Sequence, residues 1–398
     1  MAQNLNETPR ANRVHIAFFG MRNAGKSSVV NAVTGQEMSI VSAVKGTTTD
    51  PVTKSMELLP VGPVVIIDTP GMDDTGDVGA LRVKKARQIL AKTDVAVLVV
   101  DGQVGLSPAD EELLTLFRDR GVPHLVAYNK ADLAPAAQQG GLSVSALTGQ
   151  GIQQLKERIA ALAAKAENEK RIIGDLLAPG DMVVLVTPID ASAPKGRMIL
   201  PQVQAIRDIL DAGAVCSVTQ PEQLPGVLSR LSAPPRLVIT DSQAFGRVKG
   251  MVPGQVPLTS FSILFARYKG VLKTAVQGAA ALEGLKDGDR VLIAEGCTHH
   301  RQCEDIGTVK LPGWIQAHTK KALQFTFTSG GGFPEDLSPF RLVVHCGGCM
   351  LNEREMQSRR QAAERQGVPY TNYGTLIAYM NGILKRSLAP FPDCAGLL

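Results

Sequence analysis

Gly20-Met21-Arg22-Asn23-Ala24-Gly25-Lys26-Ser27 constrains this chain more than any other stretch. A nearly continuous apolar run, Val14 to Phe19, precedes it and reads as a buried parallel strand. A helix-like segment, Ser28 to Val33, follows. G-x-x-x-x-G-K-S between strand and helix makes a phosphate cradle. Backbone N–H groups and a helix N-terminus surround the β-phosphate, a lysine reaches the β- and γ-phosphates, and a serine hydroxyl takes Mg²⁺. Gly20, Gly25, Lys26, Ser27 and Ser28 are therefore expected nucleotide contacts, with Ser27 also a metal ligand.

The following segments extend the same site. Lys45-Gly46-Thr47-Thr48-Thr49-Asp50 is a polar loop suited to close a threonine over Mg²⁺ and the γ-phosphate. Val64 to Ile67 reads as a strand ending in Asp68-Thr69-Pro70-Gly71. Asp68 is the expected carboxylate on the Mg²⁺ side, and the Gly71 N–H can sense the γ-phosphate. Val95 to Val100 and Leu125 to Tyr128 are two further strands, the second running into Asn129-Lys130-Ala131-Asp132. A carboxylate at Asp132 can accept from both N1–H and N2–H₂ of guanine, a donor pair adenine lacks. Ser145-Ala146-Leu147, after strand-like Leu142 to Val144, would back the base, and an amphipathic helix, Gly151 to Ala166, closes the domain. Five short motifs in this order on alternating strands and helices point to a GTP-hydrolysing α/β domain.

Composition bounds the rest. A chain of 398 residues calls for two or three domains. The net charge of +5 is a mild excess that does not argue for nucleic acid, and Lys84-Lys85, Lys320-Lys321 and Arg359-Arg360 read as solvated faces. Met1 to Arg13 lacks the apolar core of a signal peptide, and no run reaches spanning length. A cytoplasmic protein without membrane contact is expected. Six cysteines in a reducing compartment read as metal ligands or packing residues.

Residues 13–166 resemble the translation-factor-like GTPases, and within them the Era/tRNA-modification branch. The pointer is Asn23 in the phosphate loop together with Gly46-Thr47-Thr48. The resemblance implies that Asn23 helps hold a K⁺ ion standing in for an arginine finger, and that Thr48 is the Mg²⁺ threonine. Thr49 stands where that branch has arginine, and Met72, not glutamine, follows Gly71. No side chain is evident for orienting the attacking water, since the candidates Asp73 and Asp74 read more readily as solvated acidic residues, so slow turnover is expected.

After a charged linker, Lys165 to Lys170, a second α/β pattern begins. Strands are expected at Met182 to Thr187, Ala214 to Val218 and Arg236 to Thr240. Helices are expected at Pro201 to Leu210, Glu222 to Leu231 and Thr259 to Tyr268. This is a small parallel sheet of about three or four strands. It carries no cluster of titratable residues, so self-association is its default role, and Cys216 reads as a packed core thiol.

The last third holds two half-sites, Cys297-Thr298-His299-His300 and His345-Cys346-Gly347-Gly348-Cys349, with 45 residues between His299 and His345. Both follow strand-like runs, Arg290 to Ala294 and Arg341 to Val344, and a third run, Phe325 to Thr328, lies between them. A charged helix, Glu353 to Gln366, follows, with Glu353 and Arg354 read as surface charge. Spacing leaves three readings open. A structural zinc would use Cys297, His299 or His345, Cys346 and Cys349. A [4Fe–4S] cluster would use three thiolates and a fourth ligand. Inert buried thiols are the third. Cys303 and Cys394 have no partner at ligand spacing.

A GTPase, a featureless α/β domain and then Cys-x-His…His-Cys-x-x-Cys resembles the FeFe-hydrogenase maturation GTPases, the HydF family, over essentially the whole chain. The implied fold is α/β throughout. It comprises a P-loop GTPase domain (1–170), a small parallel dimerisation domain (171–269) and an iron–sulfur cluster-binding domain (270–398). The resemblance implies a [4Fe–4S] cluster on Cys297, Cys346 and Cys349, with His299, His300, His345 or an exchangeable non-protein ligand in the fourth place. It implies a carrier of a transient diiron precursor bearing CO, cyanide and dithiolate ligands. Radical S-adenosylmethionine maturases would supply the parts, apo-FeFe-hydrogenase would receive them, and the chain would be a homodimer or higher oligomer. Two alternatives stand beside it: a ribosome- or tRNA-associated GTPase with a zinc-stabilised tail, and a GTP-dependent zinc or nickel chaperone. The C-terminal part lacks the aromatic–basic stacking platform of an RNA module, which weighs against the first.

Overall fold

The computed structural model describes residues 8–36, 52–70, 85–133, 140–164, 170–189, 198–296 and 305–397. Lys45 to Asp50 with Thr48, Gly71 to Asp74, Lys84, and Cys297 to Cys303 with His299 and His300 lie outside the described residues. The chain divides into two compact units, Met1–Glu169 and Lys170–Leu398.

In the first unit β1 (Val14–Gly20), β2 (Val52–Leu58), β3 (Gly62–Asp68), β4 (Val95–Asp101), β5 (His124–Asn129) and β6 (Leu142–Ser143) form one sheet. Its order is β2-β3-β1-β4-β5-β6, and β2 alone runs antiparallel to its neighbour. The apolar runs of β1, β3 and β4 are buried on both faces. Ile16 and Phe18 enter one hydrophobic cluster, Ala17 and Phe19 the other. That is why these strands read as continuous rather than alternating. Helix Pro108–Asp119 starts with a proline at its first turn and a Ser107 cap whose bonds Asp110 returns. The loops that bear chemistry leave the carboxyl ends of β1, β3, β4 and β5, as in other open parallel sheets.

The second unit holds two parallel four-stranded sheets. One has order β10-β9-β7-β8, from β7 (Met182–Val186), β8 (Val215–Thr219), β9 (Leu237–Thr240) and β10 (Leu258–Ser260). The other has order β12-β11-β13-β14, from β11 (Arg290–Glu295), β12 (Gln324–Ser329), β13 (Leu342–His345) and β14 (Tyr370–Asn372). A single hydrophobic cluster runs through both, from Ile172 to Cys394. Arg386 adds a polar tie. Its guanidinium donates to the carbonyls of Lys249, Val252, Pro253 and Val256.

Several expectations change. Thr259 lies in β10, and Ser260 ends that strand and caps helix Phe261–Tyr268 by accepting from the Ile263 N–H. The helix expected over Glu222 to Leu231 is shorter, Leu224–Leu228. Cys216 sits on the edge strand β8 and is only half-buried, packed against the core rather than enclosed by it. Arg359, read as solvated, is 5% exposed. Among the described residues no helix is long and apolar enough to cross a membrane.

Candidate functional site

In the first unit the phosphate loop leaves β1 and turns through two left-handed residues, Asn23 (φ 64°) and Gly25 (φ 78°). A Cβ on Gly25 would lie 2.2 Å from Nδ2 of Asn129, so glycine is needed here for space as well as backbone. Helix Lys26–Thr34 begins directly after it. Lys26 is 8% exposed and its Nζ donates to Asp68 Oδ1, while Ser27 Oγ donates to Asp68 Oδ2 at 3.0 Å. The end of β3 and the phosphate loop thus share one carboxylate. Asn129 joins three loops: its Nδ2 donates to the Ala24 carbonyl at 3.0 Å, and its Oδ1 accepts from the Ala146 N–H at 3.1 Å. Ser145 Oγ donates to Asp132 Oδ1 at 2.6 Å, which aims the carboxylate expected to read guanine. Lys130, left-handed at φ 66°, donates from Nζ to Asp101 Oδ2 at 2.5 Å. Asp101 was not among the expected residues. Its place as the last residue of a central parallel strand was the available signal.

In the second unit the strand before the first half-site lies beside the strand that carries the second. Ala294 of β11 is in register with His345 of β13. Gly296, two residues on and just past the end of β11, donates its N–H to Cys346 Sγ at 3.1 Å, and the Gly348 N–H lies 3.4 Å from the same sulfur. Cys297 follows Gly296 directly in the chain. Gly348 turns at φ 66°, and a Cβ there would lie 2.4 Å from Met356 Sδ. Cys346 and Cys349 are free thiols that keep some exposed surface yet are densely surrounded by protein. Burial pushes both thiols up, Cys349 to about 12, with Cys346 adding to that shift and Lys269 opposing it. Such thiols stay protonated until a cation displaces the protons, as metal capture does. Amide donors aimed at a ligand sulfur fit an iron–sulfur group, whose sulfurs accept such bonds. Among the described residues no three His, Cys, Asp or Glu side chains come together as a metal site.

His345 is fully buried, and both its ring nitrogens are engaged. Arg359 Nη1 lies 3.0 Å from Nε2, and Nδ1 lies 2.9 Å from the Cys346 carbonyl. A guanidinium only donates, so Nε2 accepts and the proton sits on Nδ1, where it donates to that carbonyl. Burial, with Arg359's charge adding to it, pushes the imidazole down to about 3. It is neutral and in this arrangement has no free nitrogen for a metal. The sequence signal for Arg359 was its spacing from Met356 and Ala363, the other buried positions of helix Glu353–Arg365.

A family model described as the hydrogen maturase F dimerization domain matches residues 172–270, and one described as the hydrogen maturase F tetramerization domain matches residues 273–390. Together they cover more than half of the chain. The chain belongs to the HydF family. A third model, the 50S ribosome-binding GTPase, matches residues 15–130, so this HydF-family chain carries an N-terminal GTPase domain. Its self-association domains account for both sheets of the second unit. The tRNA modification GTPase MnmE of Dechloromonas aromatica strain RCB is 32% identical over 158 residues, covering 38% of this chain and 35% of that protein. MnmE of Synechococcus sp. strain RCC307 is 39% identical over 152 residues, covering 37% and 33%. The chain thus spans about a third of the length of these curated relatives. A solved structure of Era from Aquifex aeolicus bound to GDP.AlF4- aligns at 20% identity and a TM-score of 0.34, over 60% of this chain and 99% of Era.

Proposed function

We propose that this chain binds and hydrolyses GTP in its first unit and holds a [4Fe–4S] cluster through Cys297, Cys346 and Cys349 in its second. In this reading it is a cytoplasmic scaffold that carries a diiron precursor to apo-FeFe-hydrogenase. The observation that carries the proposal is the Gly296 N–H on Cys346 Sγ. It brings the residue before Cys297 against the Cys346–Cys349 turn in a chain of the HydF family. A bound cluster would supply an iron position for exchange and one-electron chemistry. The chain's own residues supply three thiolates, amide donors to sulfur and a dry flank formed by Leu351 and Met356. His299, His300 or an exchangeable group would complete the ligands. His345 serves instead as a buried anchor for the Cys346 backbone.

In the GTPase unit, Lys26 and Ser27 would hold phosphate and Mg²⁺ beside Asp68, with Thr48 and Gly71 closing the γ-phosphate side. Gly20, Gly25 and Ser28 would frame the phosphates, and Asn129, Lys130, Asp132, Ser145 and Ala146 would hold the base. By the resemblance to the tRNA-modification GTPases, Asn23, on the left-handed turn of the phosphate loop, would help hold K⁺. GTP turnover should then be faster in K⁺ than in Na⁺ at equal ionic strength, and equal rates would remove K⁺ from the mechanism. Self-association through the second unit is consistent with Val215 and Val218, 48% and 44% exposed on the edge strand β8. The carrier role is tested by delivery. The chain loaded with precursor by radical S-adenosylmethionine maturases should activate purified apo-FeFe-hydrogenase. Failure of the loaded, iron-containing chain to activate it would refute the carrier reading. The ribosome- or tRNA-associated alternative has behind it the partial MnmE matches and a GTPase-domain model, all confined to the first unit.

A further inference from the structure

Beside the thiol turn lies a buried polar unit that the proposed ligand set does not use. Arg359 is 5% exposed on a helix face it shares with Met356 and Ala363. Both terminal nitrogens of its fork are engaged. Nη1 meets His345 Nε2 at 3.0 Å, and Nη2 donates to the Gly330 carbonyl at 2.5 Å and to Glu355 Oε1 at 2.6 Å. The guanidinium lies 5.2 Å over the Phe333 ring. The chain of contacts continues from His345 Nδ1 to the Cys346 carbonyl at 2.9 Å. The Arg359 guanidinium is not solvated surface charge. A guanidinium inside a protein is kept where its fork is matched, and a lysine cannot reproduce that fork.

We infer that Arg359 is a positioning residue for the cluster: acting through His345 it fixes the Cys346 backbone, and it holds a positive charge behind the Cys346 sulfur. The inference rests on the [4Fe–4S] reading above. Two consequences separate the parts of the role. The charge favours the more negative, reduced form of a bound cluster, and it acts strongly because the site is poorly screened. The carboxylates of Glu355 and of Glu295, which acts on the Cys346 sulfur, offset part of it, so the change on removing Arg359 reads that residue's own share. The fork, through His345, holds the carbonyl of Cys346 and so the direction in which Sγ faces the Gly296 and Gly348 amides.

The test uses the full chain, reconstituted anaerobically with iron and sulfide, as wild type, Arg359→Met and Arg359→Lys. Iron content, the reduction midpoint of the cluster, the EPR spectrum of its reduced form and GTP turnover are recorded for each. Arg359→Met should bind iron, shift the midpoint to more negative potential and alter the EPR spectrum. Arg359→Lys should keep the midpoint near wild type, because the charge stays, yet alter the EPR spectrum, because the fork is lost. GTP turnover should not change in either. Wild-type midpoint and spectrum in Arg359→Met would overturn the inference. If Arg359→Met does not fold, Arg359→Lys decides: an unaltered spectrum overturns the fork's role, and a midpoint as negative as expected for charge loss overturns the charge's role. A wild-type chain that takes up no cluster would instead refute the cluster reading itself.

Discussion

Asp132→Asn should move nucleotide preference from GTP toward xanthosine triphosphate, with GTP affinity falling by about three orders of magnitude. The Asp132 carboxylate is held by Ser145 Oγ at 2.6 Å on one oxygen. In the proposed complex it accepts from two guanine donors, N1–H and N2–H₂. Hydrogen bonds to a charged group are worth about 1.5–3 kcal/mol each, and donors left facing donors cost about as much again. Asparagine turns an amide N–H₂ toward those donors. Xanthine carries a carbonyl in place of the exocyclic amine and so accepts from that amide. The loop itself should hold, because Asn129 fixes it independently through Ala24 and Ala146. Titration of wild type and variant with fluorescent guanosine and xanthosine nucleotides reads the switch. An unchanged preference for GTP would mean that Asp132 does not read the base.

Cys346→Ser should remove most of the iron from the reconstituted chain and abolish hydrogenase activation, while GTP turnover stays within about twofold of wild type. Cys346 is the thiol to which the Gly296 and Gly348 amides point. With serine there, two cysteine ligands remain, too few to hold an iron–sulfur cluster firmly against solvent. The loss should be local. Serine is smaller than cysteine and can accept the same amide bonds, so the turn keeps its shape. The GTPase motifs lie in the other compact unit. Iron content, activation of apo-hydrogenase and GTP turnover, measured on the same preparation, separate these effects. Wild-type iron content in Cys346→Ser would remove Cys346 from the ligand set.

The phosphate loop was legible because its chemistry is local. Gly20 to Ser27 dictates its own turn, and β1 before it announces itself as a buried apolar run. The partners that hold the site were harder to read. Asn129 bridging Ala24 and Ala146, and Asp101 holding Lys130, are contacts between residues far apart in sequence. The thiols were legible as two half-sites, yet only strand register shows that Gly296 faces Cys346. His345 read as a ligand because a histidine beside a cysteine is a common metal pattern. What engages it is Arg359, 14 residues on, and two adjacent arginines look like surface charge until the helix face is known. Arg360 does follow the surface reading in part, bonding to Gln357 and Glu364 on its own helix. Thr259 read as helical because the apolar helix begins two residues later, and a three-residue strand leaves little periodicity to detect. The single core beneath both four-stranded sheets was hidden for the same reason as the bridging contacts: packing between sheets is non-local.

The most direct measurement is metal analysis with the visible and EPR spectra of the full chain after anaerobic reconstitution with iron and sulfide. A brown protein with about four irons per chain is expected, with broad sulfur-to-iron absorption bleached by dithionite and an EPR signal in the reduced form. A colourless protein holding one zinc per chain, with no signal on reduction, would contradict the cluster reading.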